Sequence, residues 1–156
     1  MSHFRLVALA HEPFEPLFGL PAPQLAEIGA MRVRADEKPG YPCRVSLEDA
    51  EVGEELLLLP WSHLPERSPY RSVGPIFVRR GAKSRTLAPG EIPDTVASRL
   101  ISVRAYDAAH LMVGAAVCEG TEVAAEIERQ FRRETVAYIH LHNAKPGCFS
   151  CAVRRV

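Results

Sequence analysis

The sequence lacks a charge surplus of either sign: 19 Lys+Arg stand against 19 Asp+Glu. General nucleic-acid binders and anionic-membrane binders both need a cationic excess, so neither class fits. No apolar run approaches the roughly 18 to 20 residues of a membrane span. The apolar stretch that follows Phe4-Arg5 is broken at His11-Glu12-Pro13, too early for a signal peptide. The expectation is a cytosolic protein whose Cys43, Cys118, Cys148 and Cys151 stay reduced. Common chemical signatures are missing as well. There is no Gly-x-Gly-x-x-Gly, no Gly-x-Ser-x-Gly and no phosphate-binding loop, and His11-Glu12-Pro13-Phe14-Glu15 lacks the second His of a metallohydrolase helix.

Proline is nearly absent from the C-terminal part: 12 of 13 lie in residues 1–93, and only Pro146 follows. Proline removes a ladder donor and fixes φ, so short strands with ordered loops are expected first and regular structure later. What is present, 156 residues with a 47% hydrophobic share, suits one domain over 1–156 with a core of its own. Phe4 to Ala8, Met31 to Arg34, Cys43 to Leu47, Leu56 to Leu59 and Ile76 to Val78 read as strands. Pro23 opens a short helix that Gly29 closes. The five acids from Glu48 to Glu55 read as an exposed turn. Further on, Leu100 to Tyr106 and Leu111 to Cys118 form two strands. Val123, Ile127 and Phe131 then mark one face of a long helix, about 121–133, with Thr121 as its N-cap. Val136 to His142 and Cys148 to Val153 are strands around the turn Asn143 to Gly147. The order predicts an α+β fold of mainly antiparallel short strands, with one long helix and one short N-terminal helix.

The densest chemistry lies in His140-Leu141-His142-Asn143-Ala144-Lys145-Pro146-Gly147-Cys148-Phe149-Ser150-Cys151. Two His at i and i+2 on a strand share a face. A hairpin that returned Cys148 and Cys151 beside them would complete a tetrahedral zinc set. Against this, no glycine follows Cys151, and residues three apart on a regular strand face opposite sides. A thiol-redox pair of Cys148 and Cys151 needs the first Cys at a helix N-terminus, and Ala152 to Val156 is too short and β-like to be one. Buried structural cysteines beside an incidental His pair satisfy the spacing more simply. His110 and His3 look isolated.

A second concentration is the irregular stretch Trp61 to Pro75, with His63, Tyr70 and Arg71. The window 61–86 holds six bases and one acid. Arg forks bind carboxylate or phosphate, while Tyr and His orient, so a small anionic ligand is expected here, with Arg44 as a further donor. Solvated surface arginines on a proline-stiffened loop are the plainer alternative.

Several runs together resemble a known family: Lys38 to Ala50 with Gly53-Glu54 and Leu57-Leu58-Leu59, Ser68-Pro69-Tyr70-Arg71, Gly74 to Arg79, and His140-x-His142-Asn143 with Gly147-Cys148-Phe149. They are similar to the bacterial domain of unknown function 1203 family, over Phe4 to Arg154. The resemblance implies a small free-standing bacterial protein and carries no activity.

Three functions follow from the residues. The first is a small-molecule-binding protein or enzyme, with Arg44, Tyr70 and Arg71 holding an anion. His63, His140 or His142 would serve as acid or base. The second is a zinc module on His140, His142, Cys148 and Cys151, and the third a thiol-redox protein on Cys148 and Cys151. A homodimer paired through the last strand as a free sheet edge is a further expectation.

Overall fold

The computed structural model describes residues 2–156. Sheet outweighs helix, 37% to 17%, so the fold is α+β and mainly antiparallel sheet. Five strands, Phe4–Val7 (β1), Leu100–Tyr106 (β5), Met112–Glu119 (β6), Tyr138–Asn143 (β7) and Phe149–Arg155 (β8), form one sheet in the order β1-β8-β7-β5-β6. Met31–Arg34 (β2), Glu55–Leu64 (β3) and Ser72–Arg79 (β4) form a second, in the order β2-β3-β4. Three short α-helices, Ala22–Glu27 (α1), Asp94–Ala97 (α2) and Val123–Phe131 (α3), complete the fold with two 3₁₀ turns.

Helix α3 lies on the larger sheet as its spacing requires. Val123, Ile127 and Phe131 are buried against Ile101, Val103, Ile139, Leu141 and Val153. Each is worth about 1.5–3 kcal/mol of apolar transfer. The helix is shorter than expected: a 3₁₀ turn at Gly120–Glu122 leads into nine α-helical residues, twelve in all. Thr121 lies inside the 3₁₀ turn and does not cap the helix. The C-terminal end is set by Arg155 of β8, whose guanidinium donates to the carbonyls of Phe131 at 3.0 Å and Arg133 at 2.9 Å. A cation there satisfies carbonyls that the helix end leaves without a donor and interacts favourably with the negative end of the dipole.

The second sheet has its own core, in which Leu57, Leu59, Ile76 and Val78 pack on Phe14, Phe18, Leu25, Cys43 and Val45. Here the structure departs from the sequence reading. β3 continues through Pro60 to Leu64 and β4 begins at Ser72, so the irregular segment is only 65–71. Pro60 sits opposite Pro75, which confines two missing donors to one step of the ladder. Cys43 to Leu47 is a tight buried turn and not a strand: Leu47 has φ 51° and its N–H donates to the Cys43 carbonyl. Its apolar side chains serve two different cores, Cys43 and Val45 the second sheet's and Leu47 the first sheet's. In the acidic turn Asp49 pairs with Arg99 at 2.6 Å, and Ala50 is fully buried. The expected free edge at the last strand is also corrected. β8 is hydrogen-bonded to β1 on one side and β7 on the other, and so cannot pair with a second copy.

Candidate functional site

β7 is the third of the five strands, and all six of its residues are buried. One face packs under α3. On the other face lie His140 and His142, in register with Arg104 and Ser102 of β5. A bulge between β7 and β8 sets His142 opposite Phe149. His63 of β3 approaches from the second sheet, its ring centre 5.0 Å from that of His142 and 6.0 Å from that of His140. Phe149 stacks on His63 at 5.2 Å with 10° between planes, and meets His140 and His142 edge to face. Three imidazoles thus share one aromatic cleft between the two sheets.

Burial dominates their chemistry. His140 is pushed down to about 3 by desolvation, then by His142, His63, Arg154 and Arg104. His142 falls to about 4, again by desolvation first, although its bond to the Gly147 carbonyl opposes the shift. His63 is lowered by burial and by Arg104. All three rings are therefore neutral at pH 7. His142 Nδ1 lies 3.0 Å from the Gly147 carbonyl oxygen, which can only accept, so Nδ1 carries the hydrogen and Nε2 the lone pair. That Nε2 is buried and has no partner. The same is true of His63 Nδ1 and His140 Nδ1. Buried polar atoms without partners cost about 1–3 kcal/mol each, and a group of them at one place calls for a ligand or water.

His63 separates two cavities. One, about 290 Å³, is lined by Arg104, His142, Ser72, Phe149 and Cys148, and among the described residues no carboxylate lines it. The other, about 170 Å³, holds His140, His110, Tyr138, Arg154 and the acidic Glu66. Among the described residues, Arg104 and Arg154 form no ion pair. Arg104 donates to Ser102 Oγ at 3.1 Å, and Arg154 lies over the Tyr138 ring at 5.4 Å. His110, expected to be isolated, has Nδ1 2.8 Å from Tyr138 Oη.

The sequence-based candidates are partly redistributed. His63, His140 and His142 come together. Arg44 borders a cavity of about 760 Å³ away from His63, but it is 1% exposed and its Nε, Nη1 and Nη2 are all tied to protein atoms. Arg71 and Tyr70 are both exposed, Tyr70 with its ring 6.0 Å from that of Tyr106, and neither lines the histidine cavities. The basic surplus of 61–86 is largely neutralised by acids from elsewhere. Arg79 is bidentate on Glu54 at 2.8 and 3.0 Å, Arg80 meets Glu55 at 2.7 Å, Arg85 meets Glu91 at 2.6 Å, and Lys83 pairs with Glu15.

The four side chains of the anticipated zinc set are not brought together. Cys151 is paired with Leu141 and packs in the α3-side core, while His140 and His142 face His63. Among the described residues, no three His, Cys, Asp or Glu side chains converge as metal ligands do. As a redox partner Cys151 is equally ill placed, its thiol pushed up to about 12 by complete burial. Arg104 went unnoticed in the sequence. Its signal is the alternation of Ser102, Arg104 and Tyr106 against Ile101, Val103 and Ala105, which sets a charged residue on one face of a central strand.

No curated protein and no solved structure matches this chain. A family model does, described as Protein of unknown function (DUF1203), over residues 40–155. That span leaves out β1, α1 and β2 but takes in His63, Arg104, His140, His142, Cys148 and Phe149. The chain belongs to the DUF1203 family.

Proposed function

We propose that this chain binds a small anion bearing a hydroxyl or N–H group, in the cavity between β3 and β7. Arg104 takes the negative charge, and His142 Nε2 accepts the hydrogen bond. The carrying observation is the unpartnered, buried Nε2 of a histidine that lines a cavity whose cation has, among the described residues, no carboxylate to satisfy it. The aromatic wall of Phe149 and the His63 ring exclude water and strengthen both contacts. A ring held near pKa 4 is a weak base at neutral pH, so His142 acts as an orienting acceptor. The reading sets the protein in a bacterial cytosol, where small hydroxy acids and phosphate are abundant and thiols stay reduced.

Thermal unfolding with glycolate, lactate, malate or inorganic phosphate tests this. At least one should raise the melting temperature of the wild type in a concentration-dependent way, by linkage of binding to folding. Arg104→Met should abolish the rise, and Arg71→Ala should leave it intact. Equal shifts in wild type and Arg104→Met, or no shift with any of the four, would sink the proposal.

A further inference from the structure

Arg44 is a fully buried guanidinium without a carboxylate. Nε donates to the Phe149 carbonyl and Nη1 to that of Pro42, and both acceptors are neutral. Nη2 donates to Cys148 Sγ at 3.0 Å. The sulfur is therefore the one group bonded to this guanidinium that can carry a negative charge. Burying a cation without such a partner is costly. Unlike Arg44, Cys148 is only half-buried. It lines the 290 Å³ cavity of Arg104 and His142, and also a larger one of about 760 Å³ that Arg44 and Asn143 border and whose wall mixes Arg99 and Lys145 with Glu37 and Glu119.

Two further atoms mark the surroundings of the sulfur as incomplete. Asn143, which lines the larger cavity, is 4% exposed; its Nδ2 lies 3.8 Å from Sγ, and its buried Oδ1 has no partner. His142, which lines the smaller cavity, is 2% exposed and its Nε2 has no partner. Cys148 thus shares a cavity with each of two residues that carry a buried acceptor without a donor.

We propose that Cys148 is a nucleophilic cysteine that exchanges with a small disulfide, with Arg44 as its fixed counter-ion. In the step, the Cys148 proton passes to solvent and the thiolate attacks one sulfur of R–S–S–R. The Cys148–S bond forms as the S–S bond breaks, and the electron pair leaves on RS⁻. The product is a mixed disulfide. The chain supplies no second thiol to resolve it: Cys43 and Cys151 are 0% and 1% exposed, and Cys118 packs on the α3-side core. An external thiol must therefore release Cys148. This replaces the Cys148/Cys151 pair with a single reactive cysteine. It stands on the sulfur–guanidinium pair and does not need the anion reading, because its first test uses an uncharged reagent.

Cys118 provides an internal control. It is half-buried like Cys148, but burial and then Glu126, Glu122 and Glu119 push its thiol up. The full-length wild type is treated with limiting iodoacetamide at pH 7, and both cysteine peptides are followed by mass spectrometry. Cys148, bonded to the Arg44 guanidinium, should react several-fold faster than Cys118, whose thiol is pushed up by burial and the nearby acids. Oxidised glutathione should then add one glutathionyl group per chain at Cys148, reversible by dithiothreitol and absent in Cys148→Ser. Alkylation of Cys148 no faster than Cys118, or no glutathione adduct at Cys148, overturns the inference. Failure of the Arg104 ligand test alone leaves it standing.

Discussion

Arg44 Nε donates to the Phe149 carbonyl at 2.7 Å, joining residues 105 positions apart. Arg44 lies in the buried turn whose backbone is bonded to Phe77 of β4, and Phe149 opens β8 of the other sheet. The side chain is thus a tie between the sheets, set directly behind the ring that walls the histidine cleft.

Arg44→Ala removes that tie and leaves the carbonyls of Phe149 and Pro42 buried without donors. At about 1–3 kcal/mol for each orphaned group, the loss should total about 3 kcal/mol or more. Urea unfolding measures it, and a midpoint within error of wild type would show that the tie carries no stability.

Acid should act on the histidines before it acts on the carboxylates. His140 and His142 bind protons in the unfolded chain near pH 6.5, but in the fold only near about 3 and about 4. The unfolded state therefore holds more protons throughout that interval. Their contribution is complete above about pH 7 and is lost as pH falls from 6.5 toward 4. The carboxylates held low, Glu54 and Glu126 among them, start from 4.5 and act only at lower pH. Stability measured between pH 7 and 5 should fall with a slope of about one to two protons, and His140→Gln should flatten it. A level profile over that range contradicts the burial of neutral rings.

Phe149 is 3% exposed and touches all three imidazoles. Phe149→Ala should cost about 3–5 kcal/mol through the lost transfer energy and the cavity it opens. It should also let water reach the rings, so that the imidazole shifts of His140 and His142 titrate at higher pH than in wild type when followed by NMR.

Gly120 begins the 3₁₀ turn that leads into α3, and a Cβ there would lie 2.0 Å from the Val96 carbonyl oxygen and 2.7 Å from Ala97 carbonyl atoms. These are backbone atoms and cannot swing aside. Gly120→Ala should lower stability by about 2 kcal/mol or more through overpacking. Gly53→Ala has nothing within 4 Å, so its cost comes only from its φ of 91° and should be smaller. Thermal melts of the two variants side by side give the order.

Where the determining neighbours lie close in the chain, the sequence was legible. The alternation of β5 and the i, i+4, i+8 apolar spacing of α3 encode which face is buried, whatever covers it. β2, by contrast, alternates in sequence but has Met31 and Arg34 exposed and Arg32 and Val33 half-buried. Pro60 and Pro75 misled because each alone reads as a breaker. Only their pairing in register makes both tolerable within strands. Cys43 to Leu47 misled for a related reason: its apolar residues alternate, but toward two cores and around a turn.

The site divides the same way. That His140 and His142 share a face follows from a two-residue period, and His63 stands out as a histidine among aromatic and basic neighbours. Their meeting does not follow, because β3 and β7 belong to different sheets and are joined by no ladder. The sequence by itself determined an α+β class, most of its strands, the short helix after Pro21, the buried face of α3 and the shared face of one histidine pair, but not α2 or the short length of α3. Tertiary structure alone decided that Arg44 is a buried tie to Cys148, that Cys151 faces away from the histidines, and that most of the bases in 61–86 are already paired. Strand periodicity is a property of consecutive residues, whereas burial and charge pairing belong to whichever distant segments the fold lays side by side.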